Sequence, residues 1–522
     1  MSKENSSTDF IPYNRSEAIA LFDAGLLPNS STPLFGIEYE GILALPQAGY
    51  NAPFYDLSQA RGLVERFNIA ASVAENWPTQ VEIFKHLAST LGWREDIDKE
   101  SPHHDPIIAG ITPDREGFTE AFTVEFGRAI EYAGKPHHNI HTMVQETQYN
   151  LAAALTVLAD KGVALLDFGY HPTQNPLVQK PARRPRFEMM HKQYCNNANS
   201  TFMNGMASQV TVGLVEDVAP QQIELLTYLS VVLAGASWNS PFVEGKPASN
   251  GLLSQRAANY EKGFPNSMFG PLYMALNEGF SSAAYVDAVM QCSMLIKTGK
   301  NGGYISAVGH YPADYMAGGK YHDPRGEYGE FSMADFANQL KAARPESRIT
   351  PGRAEQRADD SNIKLGLSLA AINYLLTSNQ AAMEEALAVF RNAGLNDSNN
   401  LADFRKKIAA QGLKAEDHQG KNLKNYLVQM LAITEIVMDQ RGLQEHGYLE
   451  PLRTVIDSGK TPAEEKLDLF HLHEGNIIKV ITEHSLKASD LVFPEIVGND
   501  RYVEQAVATH HNNLSKTRQL KL

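Results

Sequence analysis

The chain has 522 residues, of which 43% are hydrophobic and 20% charged, and its formal net charge at pH 7 is −14. This length exceeds what one simple core usually holds, and the composition excludes a globally disordered chain. The negative charge argues against non-specific binding to nucleic acid or to an anionic membrane, so an anionic substrate would need a local arginine or metal site. The two cysteines are too few for a disulfide framework.

Nothing in the sequence predicts export or membrane insertion. Residues 1–10 are polar, and the longest apolar run, near 225–236, is too short to span a bilayer. We therefore expect a cytoplasmic protein with small-molecule substrates and with neither nucleic acid nor a membrane as partner. The sequence leaves the oligomeric state open.

The first two thirds of the chain mix helical and strand patterns. Helical spacing of apolar residues is found over 16–24, 59–67, 78–91, 140–161 and 222–236. Strand patterns are found over 35–41, 122–132, 163–170, 209–215 and 354–359. The stretch from 240 to 329 is rich in Gly, Pro, Tyr and Asn, which favours loops that cover a site. This mixture predicts an α+β fold.

From Asn362 onward, helical patterns follow one another without a convincing strand. Apolar residues over 427–437 keep a three- and four-residue spacing, and Gly442 is placed to end that helix. Thr-Pro-Ala-Glu at 461–464 is a capping box that begins another helix. The predicted division is an N-terminal lead over 1–30, an α+β domain over 31–361, and a helical C-terminal region over 362–522 packed on it.

Two carboxylates alternate with apolar residues in the first predicted strand, Phe-Gly-Ile-Glu-Tyr-Glu-Gly over 35–41. On a pleated strand Glu38 and Glu40 lie on one face, about 6.5 to 7 Å apart. Two neighbouring acids can bind a divalent cation, but a solvated acidic face is the commoner origin of this pattern. The choice depends on what other strands bring to the same face.

A second acidic strand is predicted over 122–132, with Glu125 and Glu131 on one face. A straight strand would separate these two acids by about 20 Å. Both can join one cation cluster only if the chain bends, for instance at Gly127. Glu131 is therefore the firmer candidate.

Two further predicted strands also carry polar residues two positions apart, so that each pair projects to one face of its strand. Gln209 and Thr211 share a face of one, and Glu355 and Arg357 share a face of the other. A glutamate and an arginine placed in this way can supply a metal ligand and a guanidinium that binds phosphate, although an ordinary surface salt bridge gives the same spacing. Oxygen-rich sites of this kind suit Mg²⁺ or Mn²⁺ rather than Zn²⁺.

The common nucleotide-binding loops are missing from the sequence. It contains no Walker P-loop, no GxGxxG that follows a strand, and no GxSxG elbow. A bound nucleotide would have to be held by cations and arginines.

Several stretches, taken in order, resemble the glutamate-cysteine ligase family of the plant and proteobacterial type, which is related to glutamine synthetase. They are 36–40, 125–131, Pro-Arg-Phe at 185–187 with Met190, 207–211, 240–247 followed by Gly251 and Arg256, Glu355-x-Arg357-x-x-Asp360, and 458–464. The stretch Ser-Pro-Phe-Val-Glu-Gly-Lys-Pro at 240–247 matches most strongly. The resemblance spans residues 33 to 470.

The resemblance implies a fold and a reaction. The fold is a curved, mainly antiparallel sheet of the glutamine-synthetase type that forms a funnel, with helices outside it. The reaction uses ATP to phosphorylate the side-chain carboxylate of glutamate, after which the amine of cysteine attacks the acyl phosphate to give γ-glutamylcysteine. Such chemistry relies on cations and arginines that stabilise the phosphoryl group, together with accurate positioning.

The resemblance also assigns roles to individual residues. The implied ligands of Mg²⁺ or Mn²⁺ are Glu38, Glu40, Glu125, Glu131 and Glu355. The implied ATP contacts are Gln209, Lys246 and the two catalytic arginines, Arg256 and Arg357. The implied substrate contacts are Thr211 and Arg186, although a structural ion pair is equally plausible for Arg186.

Some positions depart from the family pattern. Arg128 and Ala129 replace a glycine and a glutamine, Thr211 replaces an asparagine, and Lys297 stands where an arginine is common. These changes leave two alternatives open. The chain could join glutamate or a related acid to an amine other than cysteine, or it could be a catalytically silent binding protein.

Overall fold

The computed structural model describes residues 13–26, 33–45, 50–51, 79–98, 107–114, 120–125, 129–173, 181–182, 184, 187–188, 191, 204–263, 279–292, 294, 296–298, 304–307, 310–316, 331–342, 347–496 and 498–508. The predicted helix over 59–67 and the candidate substrate contact Arg186 lie outside these residues.

Fourteen strands are found in the described part of the chain. They are β1 Phe35–Leu45, β2 Tyr50–Asn51, β3 Trp93–Asp98, β4 Ile107–Pro113, β5 Ala121–Val124, β6 Ala129–Ala133, β7 Ala164–Leu166, β8 Ser208–Gly213, β9 Phe242–Val243, β10 Lys246–Pro247, β11 Ile296–Thr298, β12 Tyr304–Ser306, β13 Ser347–Thr350 and β14 Arg353–Gln356. Ten of them form one antiparallel sheet in the order β13-β14-β8-β1-β6-β5-β4-β3, with β2 and β7 also paired to β1. The predicted antiparallel sheet is therefore confirmed, with the acidic strand β1 near its centre.

The prediction of one strand over 122–132 is wrong. The chain reverses there, and β5 pairs antiparallel with β6 so that Thr123 lies opposite Glu131. Alternation alone could not reveal the reversal. The odd-numbered residues of both strands project to one face of the sheet, as they would on a single straight strand. The separation of about 20 Å expected for a straight strand therefore does not apply. The strand predicted over 163–170 is also shorter, with only Ala164–Leu166 paired to β1.

The predicted helices form close to their expected positions. In chain order the helices are α1 Arg15–Leu26, α2 Gln80–Leu91, α3 Ile140–Asp160, α4 Ala219–Ser237, α5 Gln255–Gly263, α6 Ser282–Met290, α7 Pro312–Met316, α8 Met333–Ala342, α9 Ile363–Ser378, α10 Gln380–Asn392, α11 Ser398–Gln411, α12 Leu423–Arg441, α13 Glu450–Ser458, α14 Pro462–Leu472 and α15 Ile477–Glu483. Among the described residues, no strand follows β14.

The predicted helix ends are also observed in the C-terminal third. Gly442 ends α12 in the left-handed conformation that glycine adopts without strain. Thr461 forms the predicted capping box with Glu464, and Pro462 is the first residue of α14.

The two faces of the sheet differ in chemistry. On one face the side chains of Ile37, Tyr39, Val210 and Val212 are buried, and helices cover them. Helix α9 packs against β1 and β8, while α4 packs against β13 and β14. Helix α9 is itself buried on nearly all sides, because α4, α10, α12 and α13 surround it on the side away from the sheet. The opposite face of the sheet carries the polar residues.

One hydrophobic core joins the N-terminal and C-terminal parts of the described chain. It includes Ala18 in α1, the apolar side chains of the sheet, and residues as far as Ala506. None of the described helices is both long enough and apolar enough to cross a membrane.

Candidate active site

The strand register brings the predicted polar residues onto one face of the sheet. Glu40 lies opposite Glu131, Glu38 lies opposite Gln209, and Glu355 lies opposite Thr211. Directly paired residues of antiparallel strands project to the same side. We refer to this side, with Glu38, Glu40, Glu131, Gln209, Thr211 and Glu355, as the acidic face.

Glu40 is held at the boundary between β1 and β8. The side-chain amide of Gln209 donates to its Oε1 atom over 2.6 Å, and the backbone N–H of Ala207 donates to Oε2 over 2.7 Å. Both carboxylate oxygens therefore already accept a hydrogen bond. The side-chain oxygen of Gln209, Oε1, has no hydrogen-bond partner among the described residues.

The carboxylates of the acidic face raise one another's pKa values. Burial, followed by the charges of Glu125, Glu38 and Glu40, holds the pKa of Glu131 well above its ordinary range. Burial and the charge of Glu125 raise the pKa of Glu40 to about 7. Burial and the charge of Glu355 raise the pKa of Glu38. These acids therefore lie close together and lack enough neighbouring positive charge to compensate them.

The hairpin of β5 and β6 explains how Glu125 reaches this group. Glu125 directly follows β5, and its backbone N–H donates to the carbonyl of Ala129 over 3.1 Å. The chain reversal thus brings Glu125 beside Glu131, as the predicted bend requires. Of the two alternatives for this segment, the bent chain is the one observed.

Glu355 has a different environment from the other acids. It is 1% exposed and forms ion pairs with Arg357 and with Arg348 of the neighbouring strand β13. Burial acts to raise its pKa, but these two guanidinium groups lower the pKa of Glu355 to about 2. The carboxylate of each pair is buried and the arginines are half-buried, so these are not ordinary surface salt bridges. The pairing fixes both arginines at the edge of the acidic face, and metal binding by Glu355 stays a prediction.

Arg256 lies beneath the segment that carries Arg357. Arg256 is 4% exposed. Its guanidinium donates to the backbone carbonyls of Arg357 over 2.8 Å and Ala358 over 3.1 Å. Asp360 lies 3.8 Å from the same guanidinium. Arg256 therefore supports the segment after β14, and its direct contact with phosphate stays a prediction.

The strongest sequence motif is joined to the same segment. The hydroxyl of Ser240 donates to Asp360 over 2.6 Å, and that of Ser254 donates to it over 3.2 Å. The motifs around 240–256 and 355–360 therefore form one buried unit. Lys246, by contrast, is exposed on the separate two-stranded hairpin of β9 and β10, and its contact with ATP stays a prediction.

The donor set of the acidic face fits a hard divalent cation, because its groups are carboxylate and amide oxygens. Within the described ranges, however, no three His, Cys, Asp or Glu side chains are already arranged to hold a metal ion. Both oxygens of Glu40 and both of Glu355 have protein partners. Cation binding would therefore exchange some of these partners for metal.

A cavity of about 240 Å³ adjoins one end of the acidic face. Its lining includes Glu38, Thr211 and Arg353, together with the turn at Pro351 and Gly352. The predicted residues Glu38 and Thr211 are thus accessible from one space.

Arg348 is the site residue that the sequence analysis missed. A usable signal was present, because Pro-Gly at 351–352 is a typical turn sequence and Gly352 adopts a φ of 70°. A two-residue turn at this position sets the register that places Arg348 opposite Glu355.

Three kinds of comparison show which known proteins the chain is similar to. The model of the glutamate-cysteine ligase family 2 matches residues 81–483. The chloroplastic glutamate-cysteine ligase of Nicotiana tabacum is 23% identical over 410 residues, which cover 78% of this chain and 74% of the relative. That of Medicago truncatula is 25% identical over 400 residues, which cover 76% and 75%. A solved glutamate-cysteine ligase from Francisella tularensis, in complex with AMP, aligns with a TM-score of 0.47 and 13% identity over 94% of this chain and 95% of that one.

Proposed function

The chain belongs to the glutamate-cysteine ligase family 2, and we propose that its acidic face is where glutamate is joined to cysteine. Family and relatives together identify an ATP-dependent ligase that forms γ-glutamylcysteine. The observation that supports this location is the sheet register, which sets Glu38, Glu40 and Glu131 side by side next to two half-buried arginines.

The reaction has two steps, and atoms balance in each. In the first step the side-chain carboxylate of glutamate attacks the γ-phosphorus of ATP, and the bond from that phosphorus to the β-phosphate oxygen breaks. The products are ADP and γ-glutamyl phosphate. The amine of cysteine then attacks the acyl carbon, inorganic phosphate leaves, and the amine releases a proton. Both steps develop negative charge on phosphate oxygens.

The chain's own residues can stabilise that charge. Arg357 and Arg348 carry two fixed guanidinium groups to the edge of the acidic face, and Glu355 pre-organises both of them. We assign Glu38, Glu40, Glu131 and Glu125 to Mg²⁺, which when bound would screen the triphosphate. In this proposal Arg256 acts as a positioning residue beneath Arg357.

The finer features implied by the resemblance belong to the same proposal. They are the curvature of the sheet into a funnel, Gln209 and Lys246 as ATP contacts, and Thr211 and Arg186 as substrate contacts. The division of the chain at residues 30 and 361 and its cytoplasmic location also stay predictions. The plant relatives are named chloroplastic.

An ADP-release assay tests the reaction. The full chain is incubated with Mg²⁺, ATP and glutamate against a panel of amines that includes cysteine, with a control lacking glutamate to subtract simple ATP hydrolysis. Turnover with cysteine supports the proposal. Turnover with a different amine alone overturns the choice of cysteine, and ATP binding without turnover on any pair favours the silent binding protein.

The substitution Thr211→Asn tests the assignment of the acceptor pocket. It restores the residue that the family pattern has at this half-buried position. If Thr211 contacts substrate, we expect the KM for cysteine or glutamate to change while the KM for ATP stays constant. If the KM values for all three substrates equal those of the unsubstituted protein, Thr211 does not contact substrate.

A further inference from the structure

A second cavity, of about 800 Å³, lies on the helix-covered side of the sheet. Its lining includes Trp93, Asp114, Glu120, Lys135, Glu146 and Tyr149. Tyr132, whose hydroxyl donates to Glu146 over 3.0 Å, follows Glu131 on β6 and so projects to the opposite face. The cavity is therefore separated from the acidic face by the sheet itself. Its volume lies within the range of about 300–1,000 Å³ that is usual for small-molecule sites.

One of the acids of this cavity, the half-buried Glu146, is ion-paired within the protein. Glu146 lies 2.6 Å from the Nζ atom of Lys135 and 3.3 Å from Nε2 of His137, and it accepts the hydrogen bond from Tyr132. Lys135 therefore balances the charge of Glu146.

Glu120 differs from Glu146 in this respect. It is only 6% exposed, and its Oε2 atom has no hydrogen-bond partner in the described part of the chain. A buried carboxylate oxygen without a donor is unfavourable, so such an atom in the wall of a cavity indicates a donor that comes from a ligand.

The other residues that line the cavity indicate which charge such a ligand would carry. With Glu146 neutralised by Lys135, the acids Glu120 and Asp114 leave the cavity negative, which disfavours phosphates and other anions. The lining also includes Trp93 and Tyr149, and aromatic rings of this kind attract organic cations. We propose that this cavity binds a small organic ammonium compound whose N–H groups donate to Glu120. This inference does not depend on the proposed function of the acidic face.

Isothermal titration of the full chain with putrescine tests the site, with uncharged 1,4-butanediol as a control of similar length. We expect putrescine to bind and butanediol not to bind. Glycine, titrated in parallel, distinguishes an amino-acid ligand from a diamine, and binding of either ammonium compound supports the proposal. Failure of both to bind overturns it.

Three variants locate the binding. Glu120→Gln keeps the shape of the side chain and should weaken binding by about tenfold or more, in line with the loss of a charged hydrogen bond. Tyr149→Leu should weaken binding to a lesser extent. This variant provides the test if Glu120→Gln fails to fold. The exposed Asp457→Asn, on α13, is the matched control for non-specific charge and should leave binding unchanged.

Glu38→Gln separates this site from the acidic face. Binding that persists in Glu38→Gln and weakens in Glu120→Gln supports the second cavity. Binding that is lost in Glu38→Gln, or that is unaffected by both Glu120→Gln and Tyr149→Leu, overturns it.

Discussion

Buried carboxylates occur both on the acidic face and among the helices, but their neighbours differ. Glu445 is fully buried and accepts two hydrogen bonds from Arg441, over 2.8 and 3.0 Å. Glu224, in α4, is paired in the same way with Arg391. Glu131 instead faces other carboxylates, which together with burial raise its pKa. The comparison shows that the buried acids among the helices are neutralised by arginines, whereas Glu131 lies among like charges.

The largest expected effect is on catalysis by Glu38→Gln. Loss of one cation ligand should lower turnover by about 10²–10³-fold, or roughly 2.7–4 kcal/mol of transition-state stabilisation. The fold should survive, because the substitution removes a charge that neighbouring acids disfavour. ADP release and thermal unfolding measure the two effects. Near-normal activity in a folded variant would remove Glu38 from the site.

The next largest effect concerns Mg²⁺. A ligand that binds only the folded protein stabilises it by about 2.7 kcal/mol at a concentration of 100 Kd. We therefore expect Mg²⁺ to raise the midpoint of urea unfolding, and NaCl at matched ionic strength to do so much less. Glu131→Gln should reduce the increment due to Mg²⁺. Equal stabilisation of both proteins would show that the cation binds elsewhere.

A smaller effect, and one of opposite kind, is expected for Glu445→Gln. The loss of its charged hydrogen bonds with Arg441 should lower the free energy of unfolding by about 1.5–3 kcal/mol. Turnover per folded molecule should be unchanged, since the pair lies among the C-terminal helices. Urea unfolding and ADP release measure both quantities. A catalytic defect without a loss of stability would contradict a purely structural role for Glu445.

The smallest expected effect is a pH dependence due to Asp359. Burial raises the pKa of this fully buried carboxyl from 3.8 to about 7. The folded state therefore binds its proton more tightly than the unfolded state does, so this contribution to stability is complete below pH 3.8 and is lost as the pH rises through about 7. Asp359→Asn should flatten the difference in urea unfolding measured between pH 5 and 8. An unchanged profile would mean that Asp359 is ionised throughout.

Sequence alternation was enough to find most of the acidic face. Because side chains alternate strictly along a strand, the parity of Glu38, Glu40 and Glu355 follows from the sequence once the strands are identified. The helix ends at Gly442 and Thr461 follow from equally local chemistry.

Long-range pairing could not be found in this way. The reversal between β5 and β6 and the contact of Arg256 with the carbonyl of Arg357, 101 residues away, depend on how distant segments meet. No local pattern determined whether that guanidinium would point to phosphate or to backbone. The ion pairs of Glu355 are local by contrast. The spacing allowed the pair with Arg357, and the pair with Arg348 needed only the Pro-Gly turn at 351–352 to be recognised, because that turn sets the register of β13 with β14.

The position of helix α9 has a practical consequence for work with fragments. It covers the apolar side of β1 and β8 and is itself enclosed by α4, α10, α12 and α13. A truncated chain that stops at Ser361 would expose Ile37, Val210 and Val212 to water, a surface prone to aggregation. Residues 1–361 should therefore be insoluble when produced alone, and co-expression of residues 362–522 as a separate polypeptide should restore their solubility.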